Sequence, residues 1–223
     1  VNASPVFVTA VHVGKIAPLG PQGTPSGFRK TAVDHPVIAR TLGLTGDAQA
    51  DLNVHGGPDK AVYGYPLSRY PAWAAEFPHL ADRLVAGSMG ENLAVEGIDE
   101  DAVHIGDRIR VGGALLQVTQ PRLPCFKLGL AFDEPRLIRA MTRNGFCGWY
   151  YRVVESGAIG AGDAHSLVER PNPDWSVARF AGIIAARAMG AEVLREIVAM
   201  EGLAENWQAR ALRQLAALRH DAP

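Results

Sequence analysis

Two hydrophobic rhythms share this chain, and the point where one replaces the other constrains its fold more than any other feature. Through residue 170 the apolar side chains fall in short runs that alternate and stop at glycine or proline. After Pro171-Asn172-Pro173 they recur at helical spacing. Val6–Val13 and Ala61–Tyr65 read as strands, the second stopped by Pro66. Arg108–Val111 and Leu115–Thr119 flank Gly112-Gly113-Ala114, a hairpin by spacing and turn chemistry. Val153–Gly157 and Ser166–Glu169 close the set around a Gly160–Asp163 turn. Strands this short at this spacing predict a barrel-like β domain.

Helices are predicted over Leu67–Phe77, before Pro78, and over Asp133–Asn144, where Pro135 suits a first turn and Gly145 a C-cap. Beyond the boundary Asp174 is the expected N-cap, followed by Val177, Phe180, Ala181 and Ile184. Gly190 and Gly202 then divide three amphipathic helices. The expected fold is mixed α+β, mainly β: a β-barrel domain over 1–170 and a three-helix domain over 171–223. So small a bundle is barely stable alone. It is expected to pack on the β domain or on a second subunit, which would make a homodimer.

The totals remove several function classes. A formal net charge of −1 gives no field toward nucleic acid or anionic membrane. The apolar run at Val6–Val13 is too short to span a bilayer and contains His12. Two cysteines are too few for a disulfide scaffold or a thiolate-rich zinc site, so a cytoplasmic setting is expected. No His-Glu-x-x-His, Gly-x-Ser-x-Gly, Gly-x-Gly-x-x-Gly or Walker-type string occurs.

Cys125 is the residue best placed for chemistry. It lies in Gln120-Pro121-Arg122-Leu123-Pro124-Cys125-Phe126-Lys127, directly after a predicted strand. The prolines stiffen the approach, and Arg122 and Lys127 place cations near the sulfur. Cations favour thiolate, the form that attacks and ligates. A buried cysteine acting as a small hydrophobe is the ordinary alternative, and the rigid, cationic surroundings weigh against it. That ordinary role suits Cys147, set among aromatics and glycines in Gly145-Phe146-Cys147-Gly148-Trp149. In His55-Gly56-Gly57-Pro58-Asp59-Lys60, paired glycines can expose amide donors beside His55 and Lys60, although a plain surface turn has the same composition. Lys30 and Asn92 are further polar candidates; a solvated lysine and a turn-capping asparagine are the everyday readings of each.

Five segments in this order resemble the MOSC domain family, and within it the YiiM-type members. They are Gly43-Leu44-Thr45-Gly46-Asp47, Val54–Ala61, Gly90-Glu91-Asn92-Leu93, Ile105-Gly106-Asp107 and Gln120–Leu128. The likeness covers roughly Val6 to Arg170, and the helical tail is similar to that subgroup's extension. It implies a MOSC-type β-barrel that binds molybdenum cofactor (molybdopterin), with Cys125 as the metal ligand. Lys30, His55 and Cys125 match the catalytic polar cluster, and Asn92 and Arg122 fall in cofactor-binding segments. Reduction of N-hydroxylated bases such as 6-hydroxylaminopurine is the implied activity, with His55 as a proton donor near neutral pH. An electron-donor redox protein is then expected as partner, since no flavin, haem or iron–sulfur motif is present. The rival readings are a cofactor or persulfide carrier without reductase activity, and a metal-free thiol enzyme in which Cys147 resolves a sulfenate on Cys125.

Overall fold

The structure, a computed structural model, describes residues 5–51 and 56–220. His55 therefore lies outside the described residues. Thirteen strands are present among them. In chain order they are β1 (Phe7–Val13), β2 (Ala17–Leu19), β3 (Thr24–Ser26), β4 (Thr31–Val33), β5 (Val37–Arg40) and β6 (Gly43–Leu44). Then follow β7 (Val62–Pro66), β8 (Leu93–Glu96), β9 (Arg108–Val111), β10 (Ala114–Pro121), β11 (Trp149–Glu155), β12 (Gly157–Ile159) and β13 (His165–Glu169). The helices are α1 (Arg69–Glu76), α2 (Phe126–Phe132), α3 (Arg136–Asn144), α4 (Val177–Ala186), α5 (Ala191–Ala199) and α6 (Glu205–His220). Single 3-10 segments lie at Pro58–Lys60 and Pro78–Arg83.

Eight strands form one sheet in the order β13-β9-β10-β11-β7-β8-β1-β4. Its pairs are antiparallel except β7 with β8, whose crossover carries α1. The hairpin predicted at Gly112-Gly113 joins β9 to β10 with Val111 opposite Ala114. All eight residues of β10 are buried, Gln117, Thr119 and Gln120 among them, and the strand is paired on both edges, by β9 and β11. Small sheets β12-β5-β6 and β2-β3 lie beside it.

A closed barrel is not formed among the described residues. The edge strands β13 and β4 do not pair, and β4 is only three residues long. The sheet curls enough for the segment before β13 to reach the start of β1. That contact is one isolated bridge, Phe7 with Ala164, and backbone bonds such as Val8 N to Asp163 O at 2.9 Å. The architecture is mixed α+β around a large open sheet.

The local expectations shift at three places. The stretch after Cys125 is helical, because Leu128, Ala131 and Phe132 bury one face. Asp133, predicted to open a helix, instead closes α2 in the left-handed conformation, at φ 54°. Ser176, not Asp174, caps α4, its hydroxyl accepting from Arg179 N at 3.1 Å. The helices after the Pro171–Pro173 segment share the sheet's core: Trp175, Phe180, Leu194 and Trp207 belong to the same buried cluster as Val8, Trp73 and Trp149. Among the described residues no helix is long and apolar enough to cross a membrane.

Candidate functional site

Cys125, Arg122, Lys30 and Asn92 line one open cleft of about 590 Å³. Six chain segments build it, 26–30, 47–50, 60–63, 89–92, 122–127 and residue 150, and two glycines let its walls close together. Gly27 packs against the 47–50 segment so closely that a Cβ would lie 2.0 Å from Ala48 O. Gly90 sits at φ 83°, with the Phe28 ring 3.2 Å from where its Cβ would stand. Side chains at either position would force the walls apart.

Asp47 is the hub of the inner wall. It pairs with the Lys30 ammonium, accepts from Gly14 N at 2.8 Å and accepts from Asn92 Nδ2 at 2.9 Å. Both partners of the ion pair are buried, 6% and 2% exposed at the side chain. Burial pulls the Lys30 ammonium below its ordinary pKa, and Asp47 offsets part of that effect. Asn92 also donates to His12 O at 3.1 Å and accepts from Tyr63 N at 3.0 Å. Both its amide protons are thus committed to the protein, tying β1, β7 and the 43–47 segment together. Sequence quoted Asp47 inside a motif but gave it no task; its task depends on partners 33 and 45 residues away.

The opposite wall carries the cysteine. Cys125 follows β10 and occupies the N-cap of α2, with extended backbone at φ −127° and ψ 167°. It is partly exposed, whereas Cys147 is 2% exposed, and the two are not joined in a disulfide. Burial pushes the Cys147 thiol well above its ordinary value, so it stays protonated, which suits a structural role.

Arg122 is 4% exposed, and among the described residues no carboxylate pairs with it. Its Nη1 meets Met141 Sδ at 3.2 Å, and its guanidinium lies 5.6 Å from the Tyr63 ring centroid and 5.8 Å from that of Phe28. Burial opposes its charge, but the Tyr63 and Tyr150 phenols and the two thiols hold it above the ordinary guanidinium range. A buried cation with no carboxylate partner among the described residues is costly, and this one lines the cleft beside Cys125.

Gly57, at φ 87°, has nothing among the described residues within 4 Å of its Cβ position. Lys60 and Lys127 also line the cleft. Asp59 accepts from Arg152 Nε at 3.0 Å and from Glu205 N at 2.9 Å, which fastens this turn to β11 and to the start of α6. Among the described residues no three His, Cys, Asp or Glu side chains converge as a metal set.

This fold and motif order belong to the MOSC domain family, whose signature matches residues 51–166. The chain is 40% identical over 197 residues to the protein YiiM of Escherichia coli strain K12, covering 88% of this chain and 87% of that one. It is 39% identical over 195 residues to a protein of Gibberella moniliformis named "Reductase"; the match takes in 86% of this chain but only 34% of the fungal protein. The crystal structure of YiiM from Geobacillus stearothermophilus superposes with a TM-score of 0.79 at 31% identity, over 95% of this chain and 100% of that one.

Proposed function

We propose that the chain is a molybdenum-cofactor-dependent reductase of N-hydroxylated compounds such as 6-hydroxylaminopurine, with Cys125 as the protein's ligand to the metal. One observation carries the reading: a partly exposed cysteine opens on a cleft whose wall contains a buried arginine with no carboxylate partner among the described residues. Membership of the MOSC family and the name of the fungal relative support it. The cofactor fits this donor set, being anionic, bulky and already provided with sulfur ligands of its own. All the lining residues fall within 26–150, inside the 1–170 unit that we propose as the cofactor-binding domain, with 171–223 as an appended three-helix domain.

When bound, the cofactor would supply the two-electron chemistry that turns R–NH–OH, two electrons and two protons into R–NH2 and water. The protein's share is binding and proton supply. Arg122 answers negative charge at the back of the cleft, and Lys127 adds a cation to its lining. Lys30 holds its proton less firmly than a solvated lysine, so it can release one at the wall. Asn92 acts as a positioning residue, since its amide fixes Asp47 and through it Lys30. His55 stays the second proton donor expected from the sequence. The electrons come from a separate redox protein, and the working location is the cytoplasm.

Elemental analysis and a reduction assay on protein from a cofactor-competent host test this together. Wild type should carry molybdenum and reduce 6-hydroxylaminopurine. Cys125→Ser should fold normally and lose the activity, while Cys147→Ser keeps it. Equal loss in the two variants, or molybdenum-free wild type that is still active, would overturn the assignment. Intact cofactor passed to an apo-enzyme without any reduction would mark a carrier instead.

A further inference from the structure

Lys30 belongs to two clefts at once. Besides the front cleft that it shares with Cys125, it lines a rear cleft of about 710 Å³. Among the described residues only Lys30 and Phe28 line both, so these two side chains form the partition. The rear cleft is otherwise walled by the turn at 83–88 and by the end of α2 at Ala131 and Phe132. Arg83 clamps those walls together, its guanidinium donating to Phe132 O at 2.9 Å and to Ala131 O at 2.8 Å. Arg29 and Arg83 are the other charged residues there, and among the described residues no carboxylate lines the cleft.

Behind the turn lie two buried titratable groups that the front cleft does not use. Gly87 lines the rear cleft and touches both. Its N donates to Glu91 Oε1 at 2.6 Å, and a Cβ on it would stand 2.7 Å from the His12 ring. Glu91 is 0% exposed and His12 is 3% exposed. Each keeps one atom with no partner among the described residues, Oε2 of Glu91 and Nδ1 of His12. Buried polar atoms left open in this way are rare, and water ordinarily completes them. Both groups are coupled to Lys30. Burial pulls the lysine pKa down while Asp47 and Glu91 hold it up, and Lys30 adds to the burial that lowers the His12 pKa.

We propose that the rear cleft is the proton inlet of the site, through which solvent protons reach Lys30 while the cofactor occupies the front cleft. The proposal rests on the reductase reading and deepens it, because that reaction consumes protons at every turnover. A cofactor bulky enough to fill the front cleft separates Lys30 from water on that side. In each cycle one Lys30 N–H bond breaks toward the front cleft. Water or a buffer acid in the rear cleft then gives up the proton that rebuilds the bond, and its conjugate base returns to solvent. Lys30 ends the cycle as the ammonium with which it began.

Plugging the rear cleft tests the inlet. Val85 and Ala86 line it and are exposed, so Val85→Trp and Ala86→Trp should fold, which melting temperatures check; Ala86→Ser is the open control. In steady-state reduction of 6-hydroxylaminopurine by the molybdenum-loaded protein, either plug should lower kcat about tenfold, leave KM unchanged and raise the solvent isotope effect on kcat. A second readout needs no turnover. Exchange of the Lys30 ammonium protons with water, followed by heteronuclear NMR on the oxidised, substrate-free holoprotein, should slow by a similar factor. Unchanged Lys30 exchange in both plugged variants would overturn the inlet, as would unchanged kcat and isotope effect, or an equal change in Ala86→Ser. If the loaded wild type reduces nothing and a plug still slows Lys30 exchange, the inlet stands and the reductase reading falls. Protein that takes up no molybdenum overturns both.

Discussion

Replacing Asp47 with alanine strands the Lys30 ammonium. That charge is buried on the inner wall, and Asp47 is its ion-pair partner. Removing one member of a buried pair costs about 3–5 kcal/mol, because the survivor remains charged and desolvated. Gly14 N and Asn92 Nδ2 lose an acceptor in the same step. The expected destabilisation is therefore near the top of that range, ~4–5 kcal/mol. Lys30→Met should cost less, since Asp47 keeps its two other hydrogen bonds. The double variant should lie well below the sum of the singles, by ~2 kcal/mol or more, as coupled neighbours do. Urea unfolding of the four proteins measures all of this. The pH dependence has a fixed sign. Burial lowers the Lys30 pKa in the folded state, and loss of Asp47 lowers it further. The unfolded chain then binds more protons, so Asp47→Ala should regain stability as pH rises toward the ordinary lysine value of 10.5. A loss below ~1 kcal/mol, or strictly additive effects, would refute the hub role of Asp47.

Two further outcomes can be checked with the same equipment. Burial holds the His165 imidazole down at about 4 against an ordinary 6.5, with the Tyr151 hydroxyl 2.7 Å from its Nε2. Unfolded chains take up a proton in that window that the folded protein refuses, so stability should fall by ~3 kcal/mol as pH drops through it. His165→Gln should flatten that part of the curve, and an unchanged slope would assign it elsewhere. Gly27→Ala would place a methyl 2.0 Å from Ala48 O, so the backbone must yield. A cost of ~1–3 kcal/mol is expected, together with weaker cofactor retention on gel filtration; a variant matching wild type in both would show the wall to be pliant.

Much of the scaffold was legible before any coordinates. The apolar runs located β1 and β10, though the strand expected at Val153–Gly157 caught only the end of β11, and the glycine pair at Gly112-Gly113 set the β9–β10 register, because strand patterns and tight turns are local properties. The prolines and cations around Cys125 marked it over Cys147 for the same reason. Other features were not legible. Helix α2 is too short for a periodic signal and exists because Leu128 and Phe132 find a core to enter. Sheet closure could not be judged either, since whether β13 meets β4 depends on accumulated twist across eight strands.

Residue order alone determined the β-to-helix switch after Pro171, the family, and the one thiol flanked by cations. Tertiary structure decided what those groups face. Asn92 proved to be a brace, Asp47 the hub behind Lys30, and Arg122 a buried cation without a carboxylate among the described residues. Chain folding also brought Gln120 within hydrogen-bonding reach of Trp207, 87 positions later, and set α6 beside Cys125. The reason is physical: local propensity reads neighbours in sequence, whereas charge pairing and burial are set by neighbours in space.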